Sequence, residues 1–182
     1  MAIRYRPQEI GQAKPAKSAV VTFISSKVDI DGVLDEPVWS ASPPIGELTQ
    51  RDPQPGGTAS ERTEVTLLHD ADTLYIGVMS YDSEPQRIVG TLMARDAALA
   101  NNDDWIEILL DPYHDRRNGF YFATNPNGAL VDGLITANGS PDNTWDAIWK
   151  CAHSAQRSWL ERGVRHSVQE PELPCRTDQV GI

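Results

Sequence analysis

Positive charge is scarce in this chain: 16 Lys and Arg stand against 26 Asp and Glu, giving a formal net charge of -10. A nucleic-acid surface needs clustered Lys and Arg to displace counterions from phosphates, so that class of partner is excluded. An acidic surface suits neutral ligands or cations. Cysteine is as sparse. Cys151 and Cys175 are the whole complement, and they show neither a CxxC pair nor metal-ligand spacing. No apolar run approaches the ~20 residues of a membrane helix. The opening MAIRYRPQEIGQAKPAKSA carries some positive charge but no continuous apolar segment, so it is not a recognisable secretory signal. The four histidines, His69, His114, His153 and His166, make no HExxH spacing, and there is no GxSxG elbow and no phosphate-binding glycine loop.

What is present reads as short strands. At 182 residues, with 40% hydrophobic and 23% charged content, the chain is one domain's worth with a core of ordinary size. The clearest organisation runs from Asp103 to Gly133, DDWIEILLDPYHDRRNGFYFATNPNGALVDG. In its first strand Ile106, Ile108 and Leu110 fall on one face, and Trp105, Glu107 and Asp111 on the other, the period-two alternation of a half-buried strand. Two polar turns, DPYHDRRNG and PNG, then reverse the chain into FYFATN and ALVDGLIT, so the segment is a three-stranded meander. Upstream, TEVTLLHDADTLYIGVMSYD is a hairpin in which Val65 and Leu67 alternate with Glu64 and Thr66. AVVTFIS reads as a first strand, GELTQ as an edge strand, IVGTLMARD as a weaker strand and TWDAIWK as a last one. Between them, Asp35 is expected to cap a short helical turn that plugs Trp39 into the core. Eight to ten strands with turns between them and hardly any helix indicate an all-β, antiparallel two-sheet sandwich of jelly-roll type. Residues 1–18 read as a polar arm, 19–150 as the sandwich, and 151–182 as a tail without alternation.

Aromatic and acidic residues supply the candidate chemistry. The axial C–H face of a pyranose is apolar, so a sugar site needs an aromatic platform with carboxylates, amides or Arg for the hydroxyls. Trp105 and Glu107 share an outward strand face, and Trp145 and Trp149 share theirs. Asp103, Asp104, Asp111 and Asp115 could give oxygen ligands to calcium, although no D-x-D-x-D-G loop is present and such residues commonly form turns. A hydrolase acting on glycosyl bonds would require two facing carboxylates, one with a raised pKa.

IDGVLDEPVWSAS, the D-LY hairpin, the D-hydrophobic-E-hydrophobic-D strand and WDAIW resemble, in order and spacing, the family nine carbohydrate-binding module over about residues 27–150. The likeness is nearest to the version that begins bacterial surface proteins whose remainder is a predicted membrane β-barrel. It implies a non-catalytic domain binding an oligo- or polysaccharide, a role in carbohydrate catabolism, and a periplasmic or cell-surface setting, with calcium as the one cofactor to consider. The alternative is a structural accessory domain of a barrel that binds no sugar. Sugar-binding members hold their ligand between two tryptophans. One of these would fall near Asn101, where LANNDD has none, which makes Arg95, Asp96, Asn101 and Asn102, beside Asp103 and Asp104, the polar rim candidates.

The family pattern would continue past Lys150 with a Gly-Trp and Glu strand. A gene encoding GWSAEFAIPFKSLNFP in GC-rich codons, read two bases late, gives LERGVRHSVQEPELP, which are residues 160–174 here. The expectation is that the frame slips near Lys150 and that the sandwich lacks its last strands, leaving an exposed edge prone to aggregation.

Overall fold

The computed structural model describes residues 18–158 and 161–171, with side chains as far as Ser154. Among these residues eight strands form two sheets: β1 Val21–Phe23, β2 Thr63–His69, β3 Thr73–Tyr81, β4 Ile106–Leu110, β5 Gly119–Thr124, β6 Leu130–Ile135, β7 Lys150–Ser158 and β8 Glu161–Pro171. One sheet has the order β1-β2-β3-β8-β7 and the other β4-β5-β6. Ladders are antiparallel except that β1 runs parallel to β2, with Thr22 opposite Leu68. The long Pro- and Gly-rich connection between those two strands gives the chain room for that crossover.

The alternation read from the sequence sets the layers. Leu67, Ile76 and Val78 of the larger sheet meet Leu110 and Phe122 of the smaller one, with Trp149 among them and Ile106, Ile108 and Phe120 at the margin. Each sheet is also covered on its outer face. Trp39, from the 3-10 turn Pro37–Ala41, packs with Ile24, Val28, Leu68 and Tyr75 behind β2 and β3. Leu99, from the turn Leu99–Asn101, packs with Ala123, Ala129 and Val131 behind β5 and β6.

Two glycines make close approaches possible. A Cβ on Gly77 would lie 2.7 Å from Cζ3 of Trp39, so the indole lies directly on the β3 backbone. A Cβ on Gly32 would lie 2.5 Å from the carbonyl carbon of His153, and Gly32 has a φ of +84°, so the Asp31-Gly32 turn rests against β7 in a conformation that favours glycine.

Several local expectations change. Glu36, not Asp35, occupies the N-cap position of the Trp39 turn, and its carboxylate accepts from Trp39 Nε1 at 2.9 Å and from the Asp29 N–H at 3.1 Å. GELTQ contributes only one isolated bridge, Thr49 to Thr58, while Ile45 just before it bridges to Val65. IVGTLMARD joins no ladder. TWDAIWK begins in a turn and joins no ladder until its last residue, Lys150, which opens β7. β7 and β8 lie beyond Lys150, where the sequence reading ends the sandwich. Ladder hydrogen bonds come from the backbone, which non-proline residues supply whatever their side chains. The N-terminal arm lies almost entirely outside the described residues.

Candidate functional site

The cleft of interest opens where the end of β3 in one sheet comes beside the start of β4 in the other. Ser80, Tyr81 and Asp82 form one wall, Ile88 and Pro126 close it, and Asp104, Trp105 and Ile106 form the other, enclosing about 170 Å³. Clefts for drug-sized ligands span roughly 300–1,000 Å³, so this one accommodates a single ring and leaves the rest of a ligand in solvent. Trp105 is 43% exposed, a large apolar surface left open to water beside carboxylates.

The cleft's far wall is held by side chains in place of a ladder. Asp104 and Val89 bond reciprocally, the Asp104 carboxylate accepting the Val89 N–H at 2.8 Å and the Val89 carbonyl accepting the Asp104 N–H at 2.9 Å. Asp103 beside it is buried and accepts from the Thr91 N–H at 2.9 Å, the Thr91 hydroxyl at 2.7 Å, the Leu92 N–H at 3.0 Å and Asn125 Nδ2 at 2.6 Å. Burial alone would raise the pKa of this carboxyl. The Thr91, Leu92 and Asn125 donors outweigh it and lower the value to about 2. Asn127 adds a bond from Nδ2 to the Gly90 carbonyl at 2.6 Å. On the near wall, Arg62 stacks 4.8 Å from the Tyr81 ring centroid and pairs with Glu64, which also accepts from the Tyr81 hydroxyl at 3.2 Å.

The candidates read from the sequence divide. Trp105 lines the cleft, and Glu107 follows on the same strand face, exposed and close enough to Tyr121 that, after burial, its charge and hydrogen bond help raise that phenol's pKa. Trp145 and Trp149 correct the platform reading because they face inward. Phe120 and Trp145 have centroids 5.2 Å apart, Phe122 and Trp149 5.3 Å, and Trp149 is 6% exposed. Their spacing was right and their direction reversed, because the segment covers the open end of the core.

Arg95 is committed to structure. Its guanidinium meets Asp132, which is fully buried, at 2.5 Å and Asp146 at 2.9 Å, while Asp132 also accepts the Ala147 N–H. Asp96 takes a left-handed φ of 57° and donates its N–H to the Leu130 carbonyl at 2.9 Å. Asn101 and Asn102 are exposed around the end of the Leu99 turn.

The proposed calcium ligands do not converge. Asp103 and Asp104 precede β4, whereas Asp111 and Asp115 follow it, and five strand residues put roughly 16 Å between the pairs. Asp111 accepts from the Asp115 and Arg116 N–H groups, and Asp115 from those of Arg117 and Asn118, so both form the turn. Among the described residues no group of three or more His, Cys, Asp or Glu could hold a metal ion.

Ser80, Tyr81, Asp82, Ile88 and Pro126 were not among the sequence candidates. Only the docking of the two sheets brings them to Trp105, and no local pattern encodes that docking.

No family model matches the sequence. No curated protein does so either. Solved structures do resemble the fold. A family 9 carbohydrate-binding module from Caldicellulosiruptor kristjanssonii in complex with glucose aligns with a TM-score of 0.56 at 16% identity, over 84% of this chain and 67% of its own. A proposed carbohydrate-binding protein from Bacteroides uniformis ATCC 8492 aligns at 0.58 and 12% identity, over 83% and 71%. A family 9 module from C. kristjanssonii in complex with cellotriose aligns at 0.50 and 16%, over 85% and 67%. The likeness is one of fold: an all-β two-sheet sandwich of the kind seen in family 9 carbohydrate-binding modules.

Proposed function

We propose that this chain is a non-catalytic carbohydrate-binding domain and that its ligand stacks on Trp105. The carrying observation is the half-exposed indole set in a one-ring cleft beside Asp82, Asp104, Ser80 and Tyr81, which pairs an apolar face with hydroxyl acceptors. Glu107 on the same strand face, and exposed Asn101 and Asn102 upstream, extend the polar rim. Fold neighbours whose structures hold glucose and cellotriose support the assignment.

Tryptophan fluorescence titrated with soluble oligosaccharides, with and without calcium, tests it. Trp39 and Trp149 are buried and Trp145 packs on Phe120, and the difference between the wild type and Trp105→Ala isolates the Trp105 signal from the other indoles. Saturable quenching is expected, and Trp105→Ala should weaken binding by about tenfold or more, corresponding to the ~1 kcal/mol or more of a lost aromatic contact. A flat response from the folded chain would favour an accessory domain without a sugar ligand. The surrounding protein would then be a membrane barrel at the periplasm or cell surface, the setting that also suits a role in carbohydrate catabolism.

A second proposal concerns the tail: the reading frame slips near Lys150, so that the residues beyond it are read two bases late. β8 lies inside the larger sheet, between β3 and β7 and antiparallel to both, a position whose core-facing side calls for apolar residues. Its sequence, ERGVRHSVQEP, is mostly polar, and in GC-rich codons the shifted frame would read GWSAEFAIPF over the same stretch. Resequencing the gene decides this, and an unbroken frame through residues 150–182 would overturn it.

A further inference from the structure

We infer that the glycan this site takes is a linear chain lying along the outward face of β4, with one ring on Trp105 and the rings that follow over Glu107 and Leu109. This rests on the carbohydrate-binding reading of the same site and concerns how far that site extends. The Trp105 cleft, at about 170 Å³, holds one ring, so any further ring must leave it. Trp105, Glu107 and Leu109 alternate with the core-facing Ile106, Ile108 and Leu110, so they share the other side of the strand. All three are exposed, Trp105 at 43% and Leu109 at 50%. A single exposed Leu is ordinary. This one continues the line of the indole.

The outer face of the smaller sheet is covered at β5 and β6. Leu99 packs with Ala123, Ala129 and Val131, and Leu92, Ala97 and Tyr121 join them. Further along β6, a Cβ on Gly133 would lie 3.0 Å from the Pro141 side chain. Ala123 stands opposite Glu107, and Tyr121 opposite Leu109. The cover therefore stops at β5 and leaves β4 as an exposed shelf with that cover along one side. The shelf also carries a placed acceptor. The Tyr121 hydroxyl donates to the Glu107 carboxylate, which after burial and the Glu107 charge helps raise that phenol's pKa. A carboxylate holding one donor still accepts from a sugar hydroxyl. Trp105 and Leu109 lie roughly 13 Å apart along the strand, farther than one ring reaches. Apolar surface, acceptor and apolar surface in that order suit a chain that presents C–H faces and hydroxyls along its length.

The 182-residue chain is titrated calorimetrically with glucose and its cello-oligosaccharides up to cellohexaose, and with xylose and its xylo-oligosaccharides up to xylohexaose. Leu109→Ser and Glu107→Gln are titrated alongside. Both positions are exposed, and thermal melting checks that the variants fold. In the series that binds, affinity is expected to rise about tenfold from the monosaccharide to the hexasaccharide. A longer chain also offers more binding registers, a gain the variants keep, so the part of the rise they remove belongs to the shelf. Leu109→Ser should remove most of the rise, and Glu107→Gln a smaller part. Equal affinity at every length, or a rise that both variants keep in full, would overturn the extended site and leave carbohydrate binding at Trp105 standing. Failure of every sugar in both series to bind the folded wild type would overturn both.

Discussion

Asp132 carries a carboxylate with no solvent exposure, neutralised by an Arg95 whose own side chain is 39% exposed. The two partners are therefore unequal. Arg95→Met would leave a buried charge answered only by the Ala147 N–H and should cost about 3–5 kcal/mol, read from urea midpoints at neutral pH. Asp132→Ala leaves Arg95 near water with Asp146 still beside it and should cost less, about 1–3 kcal/mol. Asp103 governs acid stability. Its folded pKa of about 2 lies below the ordinary 3.8, so its contribution is complete above about pH 4 and fades as pH falls toward 2. The difference in Tm between the wild type and Asp103→Asn should accordingly be largest at neutral pH and narrow below pH 4. Alternation in the sequence was enough to place Trp105 outside and Ile106, Ile108 and Leu110 inside. It could not assign the partners of Arg95 or Asp103, because those partners lie tens of residues away and their distance from these residues depends on how the loops fold.

The hairpin of β2 and β3 and the meander of β4 to β6 were legible because each is built from neighbouring segments joined by turn-forming residues. TWDAIWK and IVGTLMARD were misread as strands for one reason: alternation reports which side of a segment is buried, not whether its backbone finds a partner. In TWDAIWK Trp149 is buried and pairing starts only at Lys150, while in IVGTLMARD Ile88, Gly90 and Leu92 are no more than half-buried and no ladder forms. Trp39 on Gly77 shows how strictly one element fits another. Gly77→Ala should displace the indole at a cost of about 1–3 kcal/mol. Trp39→Phe should destabilise the Gly77→Ala background less than it destabilises the wild type, and a thermal-denaturation double-mutant cycle would measure that coupling.

At the scale of the molecule, the sandwich class followed from strand count and patterning, whereas the strand order did not. The parallel β1 and the insertion of β8 between β3 and β7 are choices among long-range pairings that local sequence leaves open. The site shares that character, since its two walls belong to different sheets. The contact of Gly32 with the backbone of His153 joins a turn early in the described residues to β7 and sets an order of events during synthesis. A nascent chain on the ribosome can close the β2–β3 hairpin and then the meander as each emerges. The Asp31-Gly32 turn must wait for β7, the seventh strand among the described residues. Until then the Asp31-Gly32 corner stays undocked, so this part of the sandwich cannot finish folding during translation before β7 has left the ribosome.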